Sequence, residues 1–271
     1  MQDPRLPEHF GGTGNALLFV HANGFPPGVY KSFLRALSAR HSVWTVRLRP
    51  LWEPQGYMKS GRWQRMAEDI GHALSFMQDL SLGPVTLVGH SLGGTCSLML
   101  TIRRRDLVHR LVLIEPALVA LPTIISTRLI PWALLKRTGL IGSTLNRPEH
   151  FDSHQSAFDF HRHKEAFKGL SDDALHDYIE HAYIPTQDRR VRLAFPRNWE
   201  AIIYASAPYA RPLLTRLRVP SLIIHAESSN MYSRQEVKVW GHLPNIRVTH
   251  MSGVGHLAPM EDPVRTARLI D

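Results

Sequence analysis

Six short apolar runs punctuate the chain, at 16–20, 43–48, 85–88, 111–114, 221–224 and 246–250, each rich in Val, Ile, Leu or aromatic residues. Runs this short, with polar and glycine-containing segments around them, predict strands buried on both faces. Between the third and second runs the spacing changes. Trp63, Met66, Ala67, Ile70, Ala73, Leu74, Met77 and Leu80 recur at intervals of three and four, which predicts a helix over 62–80 with one apolar stripe. Gly83-Pro84 stops it and opens the next strand. A second helix is expected from Gly93 to about Arg104, directly after the 85–88 strand, and a last one from Pro263 to the end. Strands alternating with helices predict an α/β fold with a mostly parallel sheet covered on both faces.

Residues 117–205 break this rhythm. They offer helical fragments at 130–135, 156–167, 172–181 and 199–204, punctuated by Pro122, Pro131, Pro148, Pro185 and Pro196, and no convincing strand. This predicts a helical insertion, a cap at 117–205, interrupting a core made of 1–116 and 206–271. No internal repeat or low-complexity tract is visible.

Composition narrows the class. Of 271 residues, 44% are hydrophobic and 20% charged, which excludes collagen-like and disordered chains. The single cysteine, Cys96, excludes an intrachain disulfide and a cysteine-rich zinc site. No apolar run approaches the roughly 20 residues of a membrane span, and the first residues lack the build of a signal peptide, so a cytoplasmic protein without membrane insertion is expected. Lys and Arg number 32 against 23 Asp and Glu, a net charge of +9. The basic residues are thinly spread, and the densest cluster, Arg103-Arg104-Arg105, is followed at once by Asp106. No basic-aromatic interleaving suggests a nucleic-acid partner. The charge is read as solubility and substrate steering, with a salt-sensitive basic adaptor as the minor reading.

The strongest chemical signal is Gly89-His90-Ser91-Leu92-Gly93-Gly94, a Gly-x-Ser-x-Gly pattern between a strand and a helix. A serine on so sharp a turn stands clear of the sheet edge, and the Leu92 amide points from a helix N-terminus, where it can stabilise an oxyanion. The serine needs a base. Among sixteen histidines, His256 lies in Gly253-Val254-Gly255-His256, on a loop between the last strand and the last helix, at the same sheet edge as Ser91. His90 is expected to turn into supporting packing, and His21 to shape the loop after the first strand. The histidines at 150, 154, 161, 163, 176 and 181 are read mostly as solvated helix faces, because His161 and His163 would point in different directions and no carboxylate spacing completes a metal site.

These residues, with His21-Ala22-Asn23-Gly24-Phe25-Pro26 and their order along the chain, resemble the α/β-hydrolase superfamily with a helical cap, over residues 14–271. The resemblance implies a catalytic acid. Most relatives carry it after the penultimate strand, where this chain reads His225-Ala226-Glu227-Ser228-Ser229-Asn230. Ser229 occupies the usual aspartate position, and Glu227 lies two residues early. Another branch, which includes haloalkane dehalogenases, places the acid at the end of the strand after the nucleophile helix. That strand here ends in Glu115, and a glutamate closing an apolar strand is costly to bury without a partner such as histidine. Glu115 is therefore assigned, with Glu227 as fallback. The second oxyanion donor is the amide of Asn23 or of Phe25, depending on the alignment.

The resemblance implies a serine hydrolase that cleaves a carboxylic ester through Ser91, His256 and Glu115, with no cofactor and no metal. Lactones, thioesters, carbon–carbon cleavage and perhydrolase side activity are alternatives on the same residues. A weakly active or non-catalytic small-ligand binder is the competing class. Relatives that hydrolyse epoxides or halides use aspartate where Ser91 stands. Trp132, Phe158, Phe160, Phe167, Trp199 and Tyr204 are available to line an apolar pocket for a medium-chain ester. The arginines at 128, 189, 190, 192 and 197 are available for an acidic substrate. A monomer or homodimer is expected.

Overall fold

A computed structural model describes residues 3–56, 62–83, 85–229 and 231–271. Pro84, half of the expected helix stop, and Asn230, the end of the penultimate-strand segment, lie outside the described residues. In chain order the first elements are β1 (Glu8–Gly11), β2 (Asn15–Val20), α1 (Lys31–Ser38), β3 (His41–Val46), α2 (Arg62–Asp79), β4 (Val85–His90), α3 (Leu92–Arg103) and β5 (Val108–Ile114). Next come α4 (Leu121–Leu129), α5 (Trp132–Leu135), α6 (Gly139–Asn146), β6 (His150–Phe151), α7 (His154–Arg162), α8 (Asp172–Ala182), β7 (Tyr183–Pro185), β8 (Val191–Leu193) and α9 (Arg197–Ala205). The chain closes with β9 (Ser221–Ala226), α10 (Arg234–Trp240), β10 (Ile246–Met251), α11 (Ala258–Glu261) and α12 (Pro263–Arg268).

The main sheet has the order β1-β3-β2-β4-β5-β9-β10. Every pairing is parallel except that of β1 with β3. This is the expected α/β fold. Alternation along β2 explains the two layers of helices. Leu18 and Val20 pack with Trp63, Met66 and Ile70 of α2, whereas Leu17 and Phe19 face Phe33, Leu34 and Leu37 of α1 on the other side. The α2 stripe is buried from Trp63 to Met77, but Leu80 falls past the helix end and is exposed. The registers Val20↔Gly89, His90↔Ile114, Ile114↔Ile224 and Ala226↔Met251 bring the C-terminal ends of β2, β4, β5, β9 and β10 to one edge. In open parallel sheets that edge is where ligands bind.

Two local expectations need correction, and one strand was not foreseen. An edge strand, β1, precedes the first apolar run. Its residues are mostly exposed, so no buried run announced it. Residues 117–205 hold a small antiparallel sheet, β6-β8-β7, as well as helices. Strands of two or three residues are too short for alternation to be legible, and these are held by burial of Tyr183, Val191 and Leu193. The last helix ends at Arg268 and is preceded by the short α11. Among the described residues, no helix is long and apolar enough to cross a membrane.

Candidate active site

Ser91 sits at the turn from β4 into α3 with φ 51° and ψ −113°, a conformation L-residues adopt at a cost of about 1–3 kcal/mol. The neighbouring glycines explain how the turn fits. A Cβ on Gly89 would lie 2.6 Å from the Gly93 backbone, and one on Gly93 would lie 2.3 Å from the Val20 carbonyl oxygen. The Ser91 amide donates to the Ile114 carbonyl (3.0 Å), tying the turn to the neighbouring strand.

A chain of polar contacts runs inward from the serine. His256 Nε2 is 3.0 Å from Ser91 Oγ, and His256 Nδ1 is 3.2 Å from Glu115 Oε2. Glu115 directly follows β5, with φ 44°, and is wholly buried. Its Oε1 accepts from His225 Nδ1 (3.0 Å) and from the Ala226 amide (2.8 Å), and its Oε2 also accepts from the Ser229 hydroxyl. Burial alone would raise this carboxyl's pKa. The hydrogen bonds from His225, His256 and Ser229 outweigh it and hold the value at about 2. Ser229 of the segment after β9 thus donates to a carboxylate that follows the neighbouring strand. Glu227 Oε2 instead accepts from the Gly253 amide at 3.3 Å.

His90 and Tyr30 brace this arrangement from behind. His90 Nε2 lies 2.8 Å from the His256 carbonyl oxygen, and a carbonyl only accepts, so Nε2 carries the proton. Its Nδ1 then accepts from the Tyr30 hydroxyl (2.8 Å), which itself accepts from the Ala22 amide (3.1 Å). One buried relay joins the serine turn, the His256 loop and the loop after β2. Burial, aided by the nearby His256, pushes the His90 pKa down to about 3, which keeps the ring neutral. His21 works similarly: Nε2 accepts from the Leu48 amide (3.0 Å), leaving Nδ1 to donate to the Ala22 carbonyl (2.8 Å). The sequence pointed to both histidines, but Tyr30 carried no signal, since its partners lie eight and sixty residues away.

The loop 21–26 passes beside Ser91. The Phe25 amide is engaged in a turn with the Ala22 carbonyl at 3.3 Å, while the Asn23 amide makes no hydrogen bond among the described residues. Asn23 Nδ2 donates to the Glu200 carbonyl (3.1 Å). Gly24 has φ +79°, and a Cβ there would meet Glu200 Oε2 at 2.8 Å. The Glu200 carboxylate is paired with Arg147 at 2.5 Å, so an ion pair between buried Glu200 on α9 and half-buried Arg147 in the α6–β6 connection backs this loop. No sequence signal marked that pair.

A cavity of about 840 Å³ opens over Ser91 and His256. Its walls are mainly apolar, with Trp63, Leu135, Ile141, Ile203, Met231 and Leu257 among them. Of the aromatic residues proposed from sequence, Tyr204 lines the cavity and the others do not. Trp132 is exposed on α5. Phe158 stacks on His176 with ring centroids 4.2 Å apart. Trp199 is buried with its indole donating to the Glu53 carbonyl (2.9 Å), which anchors α9 to the core. Phe160 and Phe167 pack around His161. His161 is itself buried rather than solvated, 2.8 Å from the Tyr183 hydroxyl. None of the five arginines suggested for an acidic substrate reaches the cavity. Arg211 does, and it is paired with Glu236 on the wall. Among the described residues, no cluster of three or more His, Cys, Asp and Glu could hold a metal ion.

The fold and this edge place the chain in a defined class. It belongs to the alpha/beta hydrolase family, whose model matches residues 17–269. No curated protein matches the sequence. Solved structures with the same fold include E-2-(acetamidomethylene)succinate hydrolase, at 21% identity and a TM-score of 0.76 over 96% of this chain and 91% of that one. The M. tuberculosis esterase Rv0045c aligns at 18% identity and a TM-score of 0.72, covering 97% and 86%. The thioesterase domain of the curacin biosynthetic pathway aligns at 19% identity and a TM-score of 0.70, covering 96% and 92%.

Proposed function

We propose that this protein is a serine hydrolase acting on an apolar carboxylic ester. The observation that carries the reading is the continuous contact from Ser91 Oγ through His256 to the buried Glu115, at 3.0 and 3.2 Å, on the floor of an apolar cavity. His256 takes the Ser91 proton as Oγ attacks the ester carbonyl, and Glu115 holds Nδ1–H and stabilises the imidazolium. The Leu92 and Asn23 amides receive the oxyanion; Asn23 is preferred over Phe25 because the Phe25 amide is already engaged. His256 then gives its proton to the departing alcohol. Water, deprotonated by His256, attacks the acyl-enzyme and releases the acid. Side chains, amides and water carry every step.

Residues 117–205 act in this reading as the cap, and the cavity between cap and core takes the apolar acyl or alcohol group. The fold neighbours named as an esterase and a thioesterase support carbonyl substrates of this kind. The test is turnover of p-nitrophenyl esters of rising acyl length by wild type and Ser91→Ala. Saturable hydrolysis that strengthens with chain length and vanishes in Ser91→Ala is expected. Absence of turnover on every ester, with a small ligand held in the cavity, would favour the non-catalytic reading instead.

A further inference from the structure

Between Glu115 and Glu149 the chain has no acidic residue, yet it carries Arg128, Lys136, Arg137 and Arg147. Arg147 is committed to Glu200. Arg128, Lys136 and Arg137 are exposed, and none has an acidic partner among the described residues. The same stretch exposes large apolar side chains: Leu121, Ile125 and Leu129 on α4, Ile130 after it, and Trp132 and Leu134 on α5. Leu129 is 77% exposed. Of α4 only Ile124 is buried, and of α5 nothing is. Contiguous exposure of this kind is uncommon on a protein that stays in water.

We infer that residues 121–140 form a face that adsorbs to an anionic lipid surface, and that the substrate is an ester dissolved in that surface. The substrate clause rests on the esterase reading; the adsorption clause does not. Two features choose this occupant. Three unpaired cations among apolar side chains match a negatively charged, non-directional hydrocarbon boundary, where aliphatic groups enter the acyl layer and basic groups meet headgroups. A second copy of the chain would bring the same three cations against these. The face is also continuous with the site. Thr123 and Thr127 of α4, Leu135 of α5 and Leu140 at the start of α6 line the cavity above Ser91, and Leu140 is at once exposed and lining. An apolar ester can therefore pass from the lipid into the cavity without crossing water.

The test uses the full chain as Ser91→Ala, sedimented with phosphatidylcholine vesicles with and without phosphatidylglycerol. Binding is expected with phosphatidylglycerol and should fall steeply with salt. Leu129→Asp/Leu134→Asp should lower it about tenfold or more. Arg128→Glu/Lys136→Glu/Arg137→Glu should lower it at least about a hundredfold, near fivefold for each cation lost and more for the added negative charge. In the otherwise wild-type enzyme, Leu129→Asp/Leu134→Asp should hydrolyse a soluble short ester normally but lose turnover of a long-chain ester embedded in the anionic vesicles. Absence of vesicle binding, or equal binding by parent and both variants, would overturn the inference. So would a dimer that Leu129→Asp/Leu134→Asp splits without any vesicle binding, which would give the face to a second copy. Soluble-ester turnover without adsorption defeats the lipid face alone. Adsorption without turnover of any ester defeats the substrate clause and the esterase reading.

Discussion

Glu115→Gln changes one atom and should disable the site through a proton rather than through shape. The wild-type carboxylate faces four donors. Oε1 meets the Ala226 amide at 2.8 Å and His225 Nδ1 at 3.0 Å; Oε2 meets the Ser229 hydroxyl and His256 Nδ1 at 3.2 Å. A glutamine supplies one acceptor oxygen and one donor NH2. The NH2 cannot sit at the first position, because the Ala226 N–H is a fixed donor and two donors would face each other. It must sit at the second, where the serine hydroxyl can rotate and His256 can change tautomer. His256 Nδ1 then becomes the acceptor, and Nε2 carries the proton. That is the wrong form to take a proton from Ser91 at 3.0 Å. An inverted tautomer of this kind costs about ten-thousandfold in kcat. The change in kcat on a saturating p-nitrophenyl ester is the assay, with KM moving little because Glu115 is buried beneath the serine. Glu227→Gln, whose carboxylate meets the Gly253 amide instead, should keep near-normal kcat. Retention of more than about a tenth of kcat by Glu115→Gln, or an equal loss in Glu227→Gln, would refute the tautomer argument.

Other consequences are separable. Glu200→Gln leaves the half-buried Arg147 charge without its partner and should destabilise by up to about 3 kcal/mol in urea unfolding, much of it recovered by adding Arg147→Met. Burial lowers the pKa of His21 to about 4 and, with nearby charges adding to it, those of His90 and His161 to about 3. Unfolded, these rings take up protons near pH 6.5, so between about pH 6.5 and 4 the unfolded state binds more protons and stability falls as the pH drops. Three such groups give a slope near 4 kcal/mol per pH unit, and Glu115, held at about 2, steepens it below about pH 4.5; urea midpoints at stepped pH read this directly. A flat profile would contradict the neutral, buried state of the rings. Cys96 is buried among α2 and α3, which pushes its thiol up, so it should resist iodoacetamide in the native protein and react at once in denaturant.

How much of this was legible in the sequence depends on the range of the forces. The central strands β2, β4, β5 and β9 were readable because they are buried on both faces, which requires a nearly continuous apolar run, whereas β3 and the edge strand β10 are only partly buried and showed as weaker runs. The Gly89–Gly93 spacing was readable for a steric reason that a local motif carries: the turn brings Gly93 against the Val20 carbonyl, with no room for a Cβ. Glu115 stood out because an acid ending an apolar strand demands partners, and its carboxylate does lie among four donors. The choice between Asn23 and Phe25 depended on one turn hydrogen bond. Tyr30, Arg147 and Glu200 were invisible because each acts on a residue far away in sequence. The aromatic positions failed for the same reason. On short helices between prolines, neither the face presented to the cavity nor the anchor taken by Trp199 follows from local spacing.

The most direct measurement is the intact mass of the protein after reaction with a fluorophosphonate, followed by mapping of the modified peptide. One adduct per chain is expected, on Ser91, absent from Ser91→Ala and much slower to form in Glu115→Gln. An unmodified wild type, or an adduct that persists in Ser91→Ala, would contradict the assignment of Ser91 as the nucleophile.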